Sequence, residues 1–163
     1  MKPSLSVILP VHNAEETLTR VVGNLLEFLP ELTARFEIVV VDDASADHTV
    51  DIADELRRLY PQVRLARHGW QWGRLASVRT GRLNCRGELM LVLDSQEEVS
   101  PQELTQKWER LVEQARRLRQ SSTERDARQE QSLVRSEPAH KLAPANREPT
   151  FLRHLRSLSA SLP

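Results

Sequence analysis

Short apolar runs alternate with longer amphipathic stretches over the first 119 residues. Leu5–Leu9 is apolar and stopped by Pro10, which predicts a short buried strand. Asn13 and Glu16 then have the spacing of a helix cap and its capping box. Leu18, Val21, Val22, Leu25 and Leu29 hold a helical period up to Pro30, the expected end. Phe36–Val41, rich in β-branched residues, predicts a second strand. Thr49–Tyr60 predicts a helix with Ile52, Ala53, Leu56 and Leu59 on one side and Pro61 beyond it. Val63–Ala66 predicts a third strand, Arg74–Leu83 a helix of weaker pattern, and Glu88–Leu93 a fourth strand. Ser100, Pro101 and Glu103 then supply a cap, a first-turn proline and a capping-box acid. Leu104, Trp108, Leu111, Val112, Ala115 and Leu118 carry that helix onward.

Strand followed by helix, four times over, predicts an α/β fold with a parallel sheet. Its crossovers are right-handed and its helices cover both faces. Such sheets bind ligands outside the carboxyl ends of their strands. Three of those ends are polar: Pro10-Val11-His12-Asn13, Asp42-Asp43-Ala44-Ser45 and Asp94-Ser95-Gln96-Glu97-Glu98. The fold thus gathers at least three carboxylates, Asp42, Asp43 and Asp94, on one edge. Packed closely they repel unless a proton or cation intervenes, and a hard divalent cation with oxygen ligands, Mg²⁺ or Mn²⁺, answers that need. In an extended segment Asp94, Gln96 and Glu98 share one side. The competing reading is that Asp42 and Asp43 only cap the next helix while Glu97 and Glu98 face water.

Composition changes this picture in two places. The chain has 163 residues, 23 basic and 23 acidic, and one cysteine, Cys85. Zero net charge argues against a nucleic-acid module, and a single cysteine excludes a disulfide framework. No apolar run reaches a membrane span or a signal peptide, so a soluble cytoplasmic chain is expected. The charge is uneven, however. Residues 1–100 hold 11 basic and 15 acidic side chains, residues 101–163 hold 12 and 8. The expected division is a domain over 1–119 and a polar tail over 120–163. Residues 120–149 have too few large apolar side chains to offset ordering entropy and read as disordered or as a frayed helical extension. Phe151, Leu152, Leu155 and Leu158 have helical spacing, and predict a short helix over 151–158 that docks back or meets a protein partner.

Other chemistries lack their residues. There is no P-loop motif and no G-x-G-x-x-G after the first strand. His12, His48, His68, His140 and His154 are too scattered for zinc with one Cys. A receiver-like regulator would carry its acidic pair after the first strand and a lysine after the fourth, and neither is found.

Four segments in order carry a resemblance: the P-x-[YH]-N turn in "LSVILPVHNAEETL", the V-V-D-D-x-S turn in "FEIVVVDDASADHT", and the R-T-G helix and L-x-L-D strand end in "GRLASVRTGRLNCRGELMLVLDSQ". As a set they resemble the N-terminal half of a family 2 glycosyltransferase, over roughly residues 4–105, with dolichyl-phosphate sugar transferases comparably similar. The resemblance implies a GT-A fold, a UDP- or GDP-linked sugar as ligand and Mg²⁺ or Mn²⁺ as cofactor. Pro10 and His12 match the place where the base packs, His12 standing where the family usually has Tyr. Asp42 matches the carboxylate that reads the base edge, and Val40 lines the same pocket through its backbone. Gly73 and Arg74 match a pair near the diphosphate, and Arg79 lies in the matching helix. Asp94 matches the first acid of the D-x-D metal motif, with Ser95 among the donor-binding residues and Gln96 and Glu98 as further metal ligands.

Two departures stand out. The second D-x-D acid is Gln96, and the half of the family domain that holds acceptor and catalytic base does not follow Asp94 in recognisable form. No catalytic residue is assigned. The expectation is a glycosyltransferase-like protein that binds a nucleotide-sugar with a divalent metal. The alternatives are an inactive relative acting as a binding or regulatory module, and a scaffold whose tail binds a partner. Family members also work at the inner face of membranes, which adds that peripheral location to the cytoplasmic expectation.

Overall fold

The computed structural model describes residues 2–96 and 100–136, with side chains as far as 121. Its elements are β1 (Leu5–Val11), α1 (Leu18–Leu32), β2 (Phe36–Asp42), α2 (Thr49–Leu59), β3 (Val63–Arg67), α3 (Arg74–Asn84), β4 (Leu89–Val92) and α4 (Pro101–Ser136). The four strands form one parallel sheet in the order β3-β2-β1-β4. The chain therefore steps from β1 to β2 to β3 in one direction, then crosses back to place β4 on the other side of β1. The strand order reverses between β1 and β4.

Period two along the strands sorts the core into two faces. Val7, Leu9, Val11, Ile38, Val40, Leu91 and Leu93 pack with α1, α2 and the first turns of α4, where Leu104 and Trp108 are buried. Ile8, Val39, Val41 and Val92 lie on the opposite face, which α3 covers. α3 sits close there because its inward positions are small: Ser77 and Gly81 are its buried residues, and a Cβ on Gly81 would stand 2.4 Å from Ile8 Cγ2.

Three local expectations are corrected. Pro10 does not stop β1, which continues to Val11. The even residues of β1 bond toward β4, as Leu93 N–H to Ile8 O shows, and the odd ones toward β2, as Asp43 N–H to Val11 O shows. Pairing with β4 ends at Ile8–Val92, so the donor that Pro10 lacks would point into the gap where the two strands part. Asn13 is not the cap of α1, which begins at Leu18 after Thr17. Instead Asn13 adopts a left-handed backbone (φ 49°), and its Oδ1 accepts from Ala46 N–H at 2.9 Å. Pro30 does not end α1 either. It sits in the last turn, and the helix runs on to Leu32.

The cap of α4 is as expected: Glu103 Oε2 accepts from Ser100 N–H and Oγ–H at 3.0 Å, and Ser100 Oγ accepts from Glu103 N–H at 3.3 Å. Residues up to Gln120 form one compact unit. α4 runs as far as Ser136, and the expected helix over 151–158 lies outside the described residues.

Candidate functional site

The parting of β1 and β4 opens a cleft of about 270 Å³ at the carboxyl ends of the strands. Pro10 and His12 from the end of β1, Asp43 from the end of β2, Arg74 from the start of α3, and Asp94 to Gln96 after β4 line it. Strand parity explains the set. Pro10 and His12 continue the side of Ile8, Asp43 that of Val41, and Asp94 that of Val92, so all four fall on the α3 side. Asp42 has the opposite parity. A larger cavity, about 860 Å³, lies at the other edge, among Lys2, Arg35, Glu88 and Trp108. It adjoins the amino ends of the strands, away from the switch point where such folds bind ligands.

Asp43 organises one wall. Its carboxylate accepts from the backbone N–H groups of Trp72 (2.8 Å) and Gly73 (2.7 Å). It also accepts from His68 Nδ1–H at 2.7 Å, and the far ring nitrogen of His68 pairs with the Thr80 hydroxyl at 2.8 Å. Both Asp43 and His68 are buried. His12 Nδ1–H donates to the Asp43 carbonyl at 2.8 Å, which presents the ring beside the cleft. One residue thus ties the ends of β1 and β2 to the loop that enters α3.

Burial alone would push the Asp43 carboxyl up, but the hydrogen bonds from His68, Trp72 and Gly73 outweigh it and hold its pKa below the ordinary aspartate value. Glu37, pushed up by burial and drawn down by Ser6, Arg86 and Arg64, shares the sign. A carboxyl with a lowered folded-state pKa contributes stability that is complete above its unfolded value and lost as pH falls through its folded value. Stability is therefore expected to decline in acid below about pH 5. In Asp43→Asn the decline should be shallower, measured by urea unfolding at a series of pH values. An unchanged slope would show that Asp43 titrates alike in both states.

Asp94 forms the other wall. Its Oδ2 accepts from Arg74 Nη1 at 2.6 Å and its Oδ1 from Gln96 N–H at 3.0 Å. Both oxygens are engaged by the chain itself, and the guanidinium occupies the place of a neutralising cation. A divalent ion held here would have the Asp94 carboxylate and the Gln96 amide oxygen as candidate ligands, both residues lining the cleft. That set suits a hard cation that takes its remaining ligands from substrate and water. Among the described residues no three His, Cys, Asp or Glu side chains converge to hold a metal by themselves.

The structure brings Pro10, His12, Arg74, Asp94, Ser95 and Gln96 together around the cleft. It places Asp42 below the surface, fully buried, accepting from Ser45 N–H and 3.6 Å from Arg67 Nε. Val40 is in the core, paired with Leu9 and Leu65, and does not line the cleft. Glu98 lies outside the described residues. Gln71 and Ser77 line the cleft without having been expected there, and Asp43, counted among the acids of this edge but given no role of its own, lines it too. Parity along β2 was the available signal for Asp43.

A parallel α/β sheet with a polar crevice at its switch point defines the general class. Comparison with known proteins narrows it: the model of glycosyl transferase family 2 matches residues 6–158, and the chain belongs to that family. It is 31 % identical over 96 residues to a dolichyl-phosphate β-glucosyltransferase of Trichomonas vaginalis, covering 56 % of this chain and 30 % of that one. It is 32 % identical over 123 residues to an undecaprenyl-phosphate 4-deoxy-4-formamido-L-arabinose transferase of Pseudomonas fluorescens, covering 71 % and 34 %. The chain thus spans about a third of the length of these relatives. Among solved structures, residues 1–349 of S. aureus TarS in complex with UDP-GlcNAc match with a TM-score of 0.51 and 27 % identity, over 64 % of this chain and 30 % of that one. The architecture is that of GT-A glycosyltransferases. Among the described residues, no helix is long and apolar enough to cross a membrane.

Proposed function

We propose that this chain forms the donor-binding half of a family 2 glycosyltransferase and that the cleft takes a nucleoside diphosphate-sugar. The observation that carries the reading is the Arg74–Asp94 pair, 2.6 Å apart at the switch point. A diphosphate is a stronger partner for a guanidinium than one half-exposed carboxylate, because it offers more charge and more acceptor oxygens. A bound diphosphate would draw Arg74 off Asp94, and the residues that would then hold a divalent cation are Asp94, Gln96 and Glu98. When bound, that cation neutralises the diphosphate and stabilises it as a leaving group. Pro10 and the His12 ring offer a surface for the base. Transfer to an acceptor further requires a general base, and none of the described residues is assigned that role.

Calorimetric titration of the 163-residue chain with UDP and GDP, with and without Mn²⁺, tests this. Micromolar binding of one nucleotide, strengthened by the metal, is expected. Arg74→Ala should weaken it about tenfold or more, equivalent to about 1.4 kcal/mol, and Asp94→Ala should remove the metal dependence. Failure of a folded chain to bind either nucleotide would overturn the reading.

A further inference from the structure

From Leu56 to Gly87 the chain holds eight arginines and neither an aspartate nor a glutamate. α3 lies within this stretch and is turned inside out. Its inward residues are small, and its large apolar ones face solvent: Leu75 is 87 % exposed and Leu83 82 %. Leu75, Arg79, Arg82 and Leu83 follow offsets of four, seven and eight, which is one stripe along the helix. Four of the eight arginines are paired with carboxylates: Arg57 with Asp54, Arg64 with Glu37, Arg67 with Asp42 and Arg74 with Asp94. Arg79 and Arg82, exposed on the stripe, make no ion pair among the described residues. Just ahead of the helix, Trp70 and Trp72 are 68 % and 55 % exposed, edge to face with ring centres 6.0 Å apart.

We propose that the outer stripe of α3 and the Trp70–Trp72 loop dock on an anionic lipid surface. Three chemistries coincide there. Indoles favour the boundary between head groups and hydrocarbon. Leucines on a helix stripe enter the acyl boundary while flanking cations stay among the head groups. Arginines without acidic neighbours are attracted to a negatively charged leaflet. A nucleic acid would use the arginines but leave the two leucines facing phosphate. The loop is also tied to the cleft, since Trp72 and Gly73 donate their backbone N–H groups to Asp43. Docking on this face therefore sets the cleft at the level of the head groups. The inference rests on this surface alone and holds whatever nucleotide the cleft takes.

The test is co-sedimentation of the 163-residue chain with vesicles of phosphatidylcholine, alone or with about 30 % phosphatidylglycerol, read together with tryptophan emission. Pelleting with the anionic vesicles at low salt, weakening as salt rises, is expected. Trp108 is buried, so a blue shift on binding reports the two exposed indoles. Arg79→Glu with Arg82→Glu should weaken vesicle binding at least about tenfold. Trp70→Ala with Trp72→Ala should weaken it and abolish the shift, with circular dichroism unchanged in both variants. No pelleting would overturn the proposal. So would pelleting that survives the arginine reversals, which would place the attraction in residues 101–163. A dimer dispersed by Leu75→Glu with Leu83→Glu would assign the face to a second copy and overturn it equally.

Discussion

Replacing Asp43 with alanine is expected to cost the fold about 3 kcal/mol or more and to abolish nucleotide binding. Asp43 is 4 % exposed and its carboxylate accepts from three donors, two part-buried on the backbone and one on the buried His68 ring. A hydrogen bond to a charged group contributes about 1.5–3 kcal/mol, and each buried donor left without an acceptor costs about 1–3 kcal/mol more. Even partial relaxation of the loop leaves a large deficit. The loss should extend past stability, because the same three bonds hold the residues that precede Arg74. Asp43→Asn keeps the shape but turns one acceptor oxygen into a donor, so it should fall between the wild type and Asp43→Ala. Urea unfolding and calorimetry on the same samples would check both effects. A variant with an unchanged unfolding midpoint would show that water replaces the carboxylate.

Gly81→Ala is the second large effect, and its sign is opposite to the usual one. In an exposed helix interior, alanine is favoured over glycine by about 0.8–1 kcal/mol. Here the new methyl would meet Ile8 Cγ2 at 2.4 Å, and Ile8 is fully buried. Overpacking of this kind costs about 1–3 kcal/mol, so the clash outweighs the propensity. α3 must lift from the sheet, and Arg74 moves with it. Ile8→Ala removes the atom that is struck. The double variant should therefore be more stable than the two single losses added together predict, a coupling that a double-mutant cycle in urea would measure. Simple additivity would mean that α3 already has room at this position.

The parts of the fold that were legible in the chain are those where apolar periodicity and burial agree. Leu5–Leu9 and Ile38–Val41 are buried on both faces of the sheet, and α1 turns Leu18, Val21, Val22, Leu25 and Leu29 inward. α3 was the faint element because its packing residues are Ser77 and Gly81 while its leucines point out, the reverse of the pattern that identifies a helix. Asn13 looks like a cap within its own neighbourhood, yet it bonds across to Ala46, a partner that spacing along the chain does not reveal. At the site, the clustering of polar strand ends was readable, and so were His12, Arg74 and Asp94. Which acid of the pair at 42 and 43 faces the cleft depends on the side that α3 covers, and that is a tertiary fact. His68 gave no signal. Its two partners lie 25 and 12 residues away and share no motif with it.

The strand order carries one more consequence, for the moment when the chain is made. β1, β2 and β3 leave the ribosome in the order in which they pair, each beside the one before it. β4 emerges after all three and must find the free edge of a strand synthesised some eighty residues earlier, Leu5 opposite Leu89. Until it does, β1 has one bare flank, Arg74 has no Asp94, and the gap above Pro10 has only one side. A nascent chain halted before Leu89 holds three strands and most of the buried core but no cleft. The site is a late product of synthesis, completed by the shortest strand of the sheet.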